Sequence, residues 1–257
     1  MTKIQLTYTH DNTVAHILLN DGKGNVLDKI MMSDLLDCFA EFKQKKNLKL
    51  ITFQGGGQHF SYGASVEEHT KPNAAMMIST FHRLFYSLME LSIPTVANVT
   101  GQCLGGGMEL ALMCSVLFAD QTAVMGQPEI NLGVFPPPSS IILPSKIGLA
   151  QAEELLITGR SIRATEAHHL GLVNHVYEDR DTLLSGCRDW IEHYIVPKSA
   201  SSLRYAVQAA RCKYNDSLKT YLPQLEHIYI NSLMNTNDAN EGITAFLEKR
   251  KPVWTND

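Results

Sequence analysis

The chain has 257 residues, of which 44% are hydrophobic, and a formal net charge of −4 at pH 7. Its length allows one large domain, or a core with an appendage. The acidic balance disfavours a broad basic surface, so no nucleic-acid partner is expected. The N-terminus lacks a long apolar signal core and no apolar run reaches about eighteen residues, so we expect a cytoplasmic protein with no membrane partner.

The first half of the chain alternates strand and helix patterns. Strands are predicted at Ile4–Thr9, Val14–Leu19, 50–53 and Thr95–Val99, and helices at 30–42 and Ala74–Leu91. Asp28 is suited to cap the first of these helices, and Pro94 follows the end of the second. This alternation around one core is typical of an α/β protein.

Two segments with runs of small residues follow strands. In HFSYGASVEEH (59–69), the small residues Gly63, Ala64 and Ser65 would expose a backbone N–H to a ligand, although composition alone favours an ordinary turn. In GQCLGGGMELA (101–111), three glycines precede a helix, whose unpaired first-turn N–H groups suit a developing negative charge. A tight turn explains these glycines equally well. Neither segment fits the phosphate-loop or dinucleotide patterns.

Two glutamates stand alone in otherwise uncharged runs. Glu109 follows the three glycines inside an apolar helical pattern, and Glu129 lies in GQPEINLG (126–133). A carboxylate in such surroundings is costly to ionise unless another group pairs with it. The two glutamates are therefore a candidate general acid–base pair.

Cysteine and histidine offer weaker candidates. The five cysteines include no C-x-x-C pair and are odd in number, which favours reduced, packing thiols over a disulfide framework. Cys103 lies beside the glycine motif, but no histidine partner accompanies it as a nucleophile would require. His168 and His169 are adjacent on a predicted helix and point in different directions, so no metal site is expected there.

After Glu129, the run from Pro136 to Ser140 predicts a rigid bend whose serines cap the next helix. Helices are then predicted at 150–157 and 164–170, and a strand at 172–176 after Gly171. From residue 182 the pattern is almost wholly helical, with segments at 183–195, 199–214, 218–233 and 239–247. We therefore divide the chain into a core, 1–197, and a C-terminal helical region, 198–257, whose apolar stripes would pack against another subunit.

Taken in order, FSYGAS, GQCLGGGMELA, GQPEINLG, TGRSIRATEAHHLGLVNHV and FLEKRKPVW resemble the enoyl-CoA hydratase/isomerase (crotonase) family over nearly the whole chain. The resemblance implies an α/β spiral of ββα units with a C-terminal helical trimerisation region. It also implies a homotrimer or a dimer of trimers, and an acyl-CoA thioester substrate. No metal and no other cofactor are implied, because coenzyme A is part of the substrate.

The family's catalytic positions can be matched one by one. Ala64 in YGAS and Gly106 in LGGGME match the two oxyanion-hole positions. Glu109 and Glu129 match the two glutamates that hold water and move protons in hydratases. The presence of both favours hydration over other chemistries of the family.

The substrate-binding positions follow less directly. Tyr62 and Val66 match positions that line the acyl or pantetheine path. Lys23 and Lys251 would meet the phosphates of coenzyme A, although solvated surface lysines are the simpler reading of both.

The chain also departs from the common hydratase pattern. Ser65 stands where many hydratases have Asp, and GVFPPPSSIILP (133–144) replaces a glycine-rich P-G-A-G-G turn. The cavity wall beyond Glu129 is therefore expected to differ from that of a linear-chain hydratase. The segments FSYGASVEEH, GQPEINLGVFPP and GRSI are most similar to cyclohexa-1,5-diene-1-carbonyl-CoA hydratases of anaerobic aromatic degradation.

Several alternatives remain open at this point. A general short-chain 2-enoyl-CoA hydratase would keep every residue role and change only the substrate. An isomerase or thioester hydrolase is disfavoured by the presence of both glutamates. A non-catalytic acyl-CoA-binding module would retain the same fold, because fold alone does not fix function.

Overall fold

Strands from along the whole chain form two sheets in the computed structural model of the protein, which describes residues 2–257. The larger sheet has the order β1-β2-β3-β4-β6-β9 and the smaller one β5-β7-β8. The strands are β1 (Ile4–Thr9), β2 (Val14–Leu19), β3 (Leu50–Gly55), β4 (Thr95–Val99), β5 (Gln102–Leu104), β6 (Val116–Asp120), β7 (Val124–Gly126), β8 (Ser161–Arg163) and β9 (His175–Tyr177).

The helices cover the sheets and form most of the C-terminal region. They are α1 (Lys29–Phe42), α2 (Ala74–Leu91), α3 (Gly106–Leu112), α4 (Pro137–Ile147), α5 (Leu149–Thr158), α6 (Ala164–His169), α7 (Arg180–Trp190), α8 (Ala200–Ala210), α9 (Cys212–Asn231) and α10 (Asn237–Leu247). Single turns of 3₁₀-helix occupy Val66–His69, Pro128–Leu132 and Leu233–Asn235, and a π-helical turn at Ile191–Ile195 continues α7. Within residues 2–257, no helix is both long and apolar enough to cross a membrane.

The chain repeatedly crosses from the larger sheet to the smaller one. β4 leads into β5 and then α3, and β6 leads into β7. After β3, Ser61 makes an isolated parallel bridge to Cys103 of β5 before the chain enters α2. Each time the chain crosses in this way, it adds one segment to the larger sheet and one to the smaller sheet. This arrangement confirms the predicted α/β spiral of ββα units.

Most of the predicted elements are confirmed, and three predictions are wrong. β1, β2, α2 and β4 have the predicted bounds. The break predicted between the helices at 199–214 and 218–233 lies at Arg211 instead, because the N–H of Asn215 already donates to the oxygen of Arg211 at 2.7 Å in the first turn of α9. The strand predicted at 172–176 instead lies at His175–Tyr177, because Leu172 and Val173 are buried core residues outside the sheet. The serines after the proline run do not cap a helix. α4 already begins at Pro137, so Ser139 and Ser140 lie inside its first turn.

Apolar side chains cover both faces of the larger sheet. On one face α1 and α2 pack on the strands, and the Phe39 ring meets Phe53 of β3 edge-on at 6.2 Å between centroids. On the other face α7 packs Leu183 over Leu50 and Val96. A central parallel strand covered on both faces is apolar along its length, which explains the run at 50–53.

The C-terminal helices share the main core. Leu218 and Tyr229 of α9 belong to the same buried cluster as the residues of α1 and α2. His82 of α2 is buried, and its Nδ1 lies 2.8 Å from Glu226 Oε2 of α9. The assignment of residues 198–257 to oligomerisation stays a prediction.

We predict that Asp28→Ala lowers the free energy of unfolding by about 1 kcal/mol, the usual loss for an N-cap. Asp28 Oδ1 accepts a hydrogen bond from the N–H of Met31 at 3.0 Å, and its other oxygen pairs with Lys3. Urea unfolding checks the change, with Asp37→Ala, at an exposed position of the same helix, as the control. Equal stability of the two variants would contradict a capping role.

Candidate active site

A cavity of about 470 Å³ lies where α2, the start of α3 and the 128–137 segment meet. Both glutamates singled out from the sequence line it, as do Ala64 and Gly106. The rest of its wall is mainly apolar and includes Met77, Ile78, Phe81, Val134, Phe135 and Pro136. An apolar cavity with a few convergent polar groups is the usual form of a small-molecule site.

Two backbone N–H groups meet at one wall of this cavity. A Cβ placed on Gly106 would lie 3.2 Å from the Ala64 nitrogen, and one placed on Gly63 would lie 3.3 Å from the Gly106 nitrogen. Gly105, with φ 49° and ψ −129°, adopts a backbone conformation that favours glycine. Neither the Ala64 nor the Gly106 N–H donates to another group within residues 2–257. The pair therefore has the character of an oxyanion hole.

Neighbouring backbone segments hold Ala64 in place on two sides. On one side, the N–H of Leu27 donates to the oxygen of Gly63 at 2.9 Å, and the N–H of Tyr62 donates to the oxygen of Gly24 at 2.8 Å. On the other side, the N–H of Leu104 donates to the oxygen of Ser61 at 3.0 Å. The backbone N–H of Ala64 is thus held in position both by the 20–28 loop and by β5.

Sequence reasoning missed the residue that anchors this loop. Asn25 is buried at a left-handed φ of 53°, and its Nδ2 donates to the oxygens of Gly56 and His59 at 3.0 and 2.9 Å. The hydroxyl of Ser61 donates to the oxygen of Asn25 at 2.7 Å. The sequence offers only a weak signal for this role, namely an asparagine, which tolerates a left-handed backbone, after two glycines in a turn.

Glu109 projects into the cavity from α3. Its side chain is buried, and its Oε1 accepts a hydrogen bond from the N–H of Ser139 at 2.8 Å. Burial raises the pKa of Glu109 to about 7, even though the N–H and the hydroxyl of Ser139 both favour the ionised form. A carboxyl group with a pKa near neutrality is suited to general acid–base work.

Glu129 reaches the same space from the 3₁₀ turn. A Cβ on Gly105 would lie only 2.7 Å from Glu129 Oε1, so the glycine leaves room for the carboxyl group beside the hole. Burial and the charge of Glu109 raise the pKa of Glu129 well above its usual range. Two neighbouring buried carboxyls do not readily ionise together. The pair therefore holds a proton on Glu129 when Glu109 is ionised.

Two further polar side chains connect the glutamates, and sequence reasoning did not single them out as site residues. Gln127 and Ser139 are both buried. The Gln127 amide lies 2.6 Å from Ser139 Oγ on one side and 3.1 Å from each carboxyl oxygen of Glu129 on the other. Their only sequence signal is their place beside Glu129 and in the altered 133–144 segment.

The substrate-binding residues suggested by the sequence fall into two groups. Tyr62 and Val66 both line the cavity, with Tyr62 half exposed against Gly24. Lys23 and Lys251 are exposed and lie outside the cavity wall. Lys23 precedes Gly24 in the loop, and Lys251 follows α10, which contributes Phe246 to the wall. A role for either lysine at the phosphates stays a prediction.

Cys103 is not placed as a nucleophile. It is a fully buried residue of β5, and burial raises the pKa of its thiol well above the usual range. A reactive cysteine needs the opposite shift, because the thiolate is the nucleophile. Cys103 is therefore a packing residue, as the absence of a histidine partner predicts.

Comparison with known proteins finds relatives that match nearly the whole chain. The family model for enoyl-CoA hydratase/isomerase matches residues 9–257. Cyclohexa-1,5-dienecarbonyl-CoA hydratase of Thauera aromatica is 40% identical over 246 residues, covering 96% of this chain and 94% of that protein. A probable enoyl-CoA hydratase of Mycobacterium tuberculosis is 35% identical, covering 99% of both chains.

Solved structures share the fold along its full length. An enoyl-CoA hydratase of Mycobacterium avium subsp. paratuberculosis superposes with a TM-score of 0.87 at 24% identity, covering 100% of both chains. An enoyl-CoA hydratase subunit of Geobacillus kaustophilus is 30% identical with a TM-score of 0.76, covering 100% of this chain and 99% of that chain. The chain is a member of the enoyl-CoA hydratase/isomerase family.

Proposed function

We propose that the protein adds water to cyclohexa-1,5-diene-1-carbonyl-CoA, giving 6-hydroxycyclohex-1-ene-1-carbonyl-CoA in anaerobic benzoyl-CoA degradation. The observation that carries the proposal is the pair of carboxyls, buried Glu109 and half-buried Glu129, beside the unpaired N–H groups of Ala64 and Gly106. Each of these four groups has a task in the hydration of a conjugated thioester.

The N–H groups of Ala64 and Gly106 stabilise the charge that forms during the reaction. Addition of water to the β-carbon of the thioester places negative charge on the thioester oxygen. Two preorganised donors at that oxygen lower the barrier, and the loss of one such donor typically costs about 10²–10³ in rate. The intermediate held there is a dienolate.

The environments of the two glutamates divide the proton transfers between them. Ser139 donates to Glu109 and favours its ionised form, so Glu109 is the base that takes a proton from water. The charge of Glu109 keeps Glu129 protonated, so Glu129 is the acid. Glu129 delivers its proton to the far (γ) end of the dienolate rather than to the α-carbon.

No cofactor beyond the coenzyme A of the substrate is needed for this reaction. Hydration moves two protons and a hydroxyl group and leaves the oxidation level of substrate plus water unchanged. Base, acid and oxyanion stabilisation all come from the groups described above. We propose that neither a metal nor a redox cofactor takes part.

The choice of a cyclic acyl group is supported by a relative and by the cavity wall. The relative from Thauera aromatica carries the name of this hydratase. The altered segment supplies Phe135, Pro136 and Pro137 to the wall, and the ring of Phe135 meets that of Tyr229 edge-on at 5.5 Å. These rigid apolar groups give a wall suited to a flat ring.

Hydration of a short straight-chain 2-enoyl-CoA is the second candidate. It is favoured by the Mycobacterium tuberculosis relative, a probable enoyl-CoA hydratase at 35% identity. The same four groups would act on it in the same way. The two candidates differ only in the shape of the acyl group that the wall accepts.

We also propose that the chain assembles as a homotrimer or a dimer of trimers. α8 and α9 expose large apolar residues, with Tyr205 71%, Tyr221 53% and Ile228 46% exposed. Apolar surfaces of this kind are commonly buried between subunits.

We expect the purified protein to hydrate cyclohexa-1,5-diene-1-carbonyl-CoA in preference to crotonyl-CoA. The product should gain the mass of one water and, in D₂O, carry one deuterium at the far carbon of the former diene. Mass spectrometry and NMR of the product check both points. Turnover of crotonyl-CoA alone would overturn the cyclic substrate and support the straight-chain candidate.

Glu109→Gln and Glu129→Gln should each lower kcat by about 10²–10⁴, the usual contribution of a positioned acid or base. Glutamine is close in size to glutamate and cannot exchange a proton at neutral pH, so the loss reports chemistry rather than packing. Glu153→Gln, at an exposed position on α5, is the control. Unchanged turnover in Glu109→Gln would rule out the two-glutamate mechanism.

A further inference from the structure

The two glutamates are joined by a continuous polar connection through Ser139 and Gln127, hereafter the bridge. At one end, the N–H of Ser139 donates to Glu109 Oε1 at 2.8 Å. The hydroxyl of Ser139 also lowers the pKa of that carboxyl group by hydrogen bonding. At the other end, the Gln127 amide faces both oxygens of Glu129 at 3.1 Å. Between them, Ser139 Oγ lies 2.6 Å from the Gln127 amide.

The bridge has two complete hydrogen-bonding arrangements. In the first, Gln127 Nε2 donates to Ser139 Oγ, and the hydroxyl of Ser139 is free to donate to an ionised Glu109. The amide oxygen then faces Glu129, which satisfies it only if Glu129 is protonated and donates. In the second, the amide is turned over, so that Nε2 donates to Glu129 and the amide oxygen accepts from Ser139 Oγ. This arrangement suits an ionised Glu129 and a protonated Glu109.

These two arrangements match the protonation states before and after hydration. We propose that Ser139 and Gln127 act as a hydrogen-bond switch that reverses with each catalytic proton transfer, so that both states of the glutamate pair are fully hydrogen-bonded. The inference rests on the proposed function. It makes Ser139 and Gln127 positioning residues, because they act through the glutamates.

The proton balance of one turnover is simple. Glu109 gains the proton that water loses, and Glu129 loses the proton that carbon gains. The hydroxyl of Ser139 rotates and the Gln127 amide turns over, but neither side chain gains or loses a proton. The resting state returns when a proton leaves Glu109 for solvent and another reaches Glu129.

A fixed partner could not serve both states. A lysine or arginine beside either carboxyl would favour the ionised form permanently, since neither side chain can accept a hydrogen bond. A hydroxyl and an amide each carry a donor and an acceptor, and each reverses by rotation about its own side-chain bonds. Gln127 and Ser139 are both buried, so two acceptors that face each other without a hydrogen between them would be costly.

Ser139→Ala tests the switch, because it removes the hydroxyl and keeps the N–H that donates to Glu109. We expect kcat to fall about 10- to 100-fold, within the range for an impaired acid–base step, while KM changes by less than about threefold. The acid limb of the pH–rate profile should move to higher pH, because the lost hydroxyl favours ionised Glu109. Glu129 and Tyr229, which both interact with the charge of Glu109, are unchanged in this variant.

Ser140→Ala is the matched control. It removes a hydroxyl from the same helical turn, where Ser140 Oγ donates to the oxygen of Pro136 at 2.8 Å, away from the glutamates. Gln127→Met is a second variant that keeps the size of the side chain and cannot bridge. Either substitution alone interrupts the bridge, so the second one has nothing further to remove. The double variant Ser139→Ala/Gln127→Met should therefore have a kcat no lower than that of the slower single variant.

The outcomes separate the inference from the proposed function. If the wild-type protein is active and Ser139→Ala matches Ser140→Ala in kcat and pH profile, the switch is overturned and the hydratase stands. Independent, multiplying losses in the double variant would also overturn it. A wild-type protein inactive toward every enoyl-CoA would overturn the proposed function and this inference with it.

Discussion

The placement of two carboxyl groups in a single apolar cavity, Glu109 buried and Glu129 half-buried, is the constraint on which the rest of the site depends. Neither carboxyl has a lysine or arginine partner among the hydrogen bonds and ion pairs of residues 2–257. Desolvation instead raises the pKa of both carboxyl groups, and the charge of Glu109 raises the pKa of Glu129 further. With a pKa of about 7, Glu109 exchanges a proton near neutral pH, as general acid–base work requires.

The backbone around the two glutamates contains glycines where other groups approach it closely. Gly105 leaves the space that Glu129 Oε1 occupies, and Gly106 allows the start of α3 to meet Ala64. The second sheet brings these segments together, because Ser61 bridges to β5 just before the first donor. The spiral fold therefore brings two N–H donors and two carboxyl groups into one cavity. These groups lie between residues 64 and 129, so more than sixty residues separate the first from the last.

Periodicity and glycine patterns were sufficient to predict most elements. With the family resemblance they also pointed to Ala64, Gly106, Glu109 and Glu129, which the structure brings to one cavity. The bridge was not predictable, because a buried serine and glutamine look like ordinary polar residues until the fold brings them together. The proline run shows the same limit. It favours a bend, yet proline is also tolerated in the first turn of a helix, and there it directs the N–H of Ser139 toward Glu109.

The most direct test of this account is an NMR titration of the two carboxyls in protein labelled with ¹³C at the glutamate side-chain carboxyl, with the Glu109→Gln and Glu129→Gln spectra giving the assignments. We expect Glu109 to titrate with a pKa of about 7 and Glu129 to titrate above its usual range. Removing the charge in Glu109→Gln should lower the pKa of Glu129. Ordinary titration of both carboxyls near about 4.3 would contradict the account.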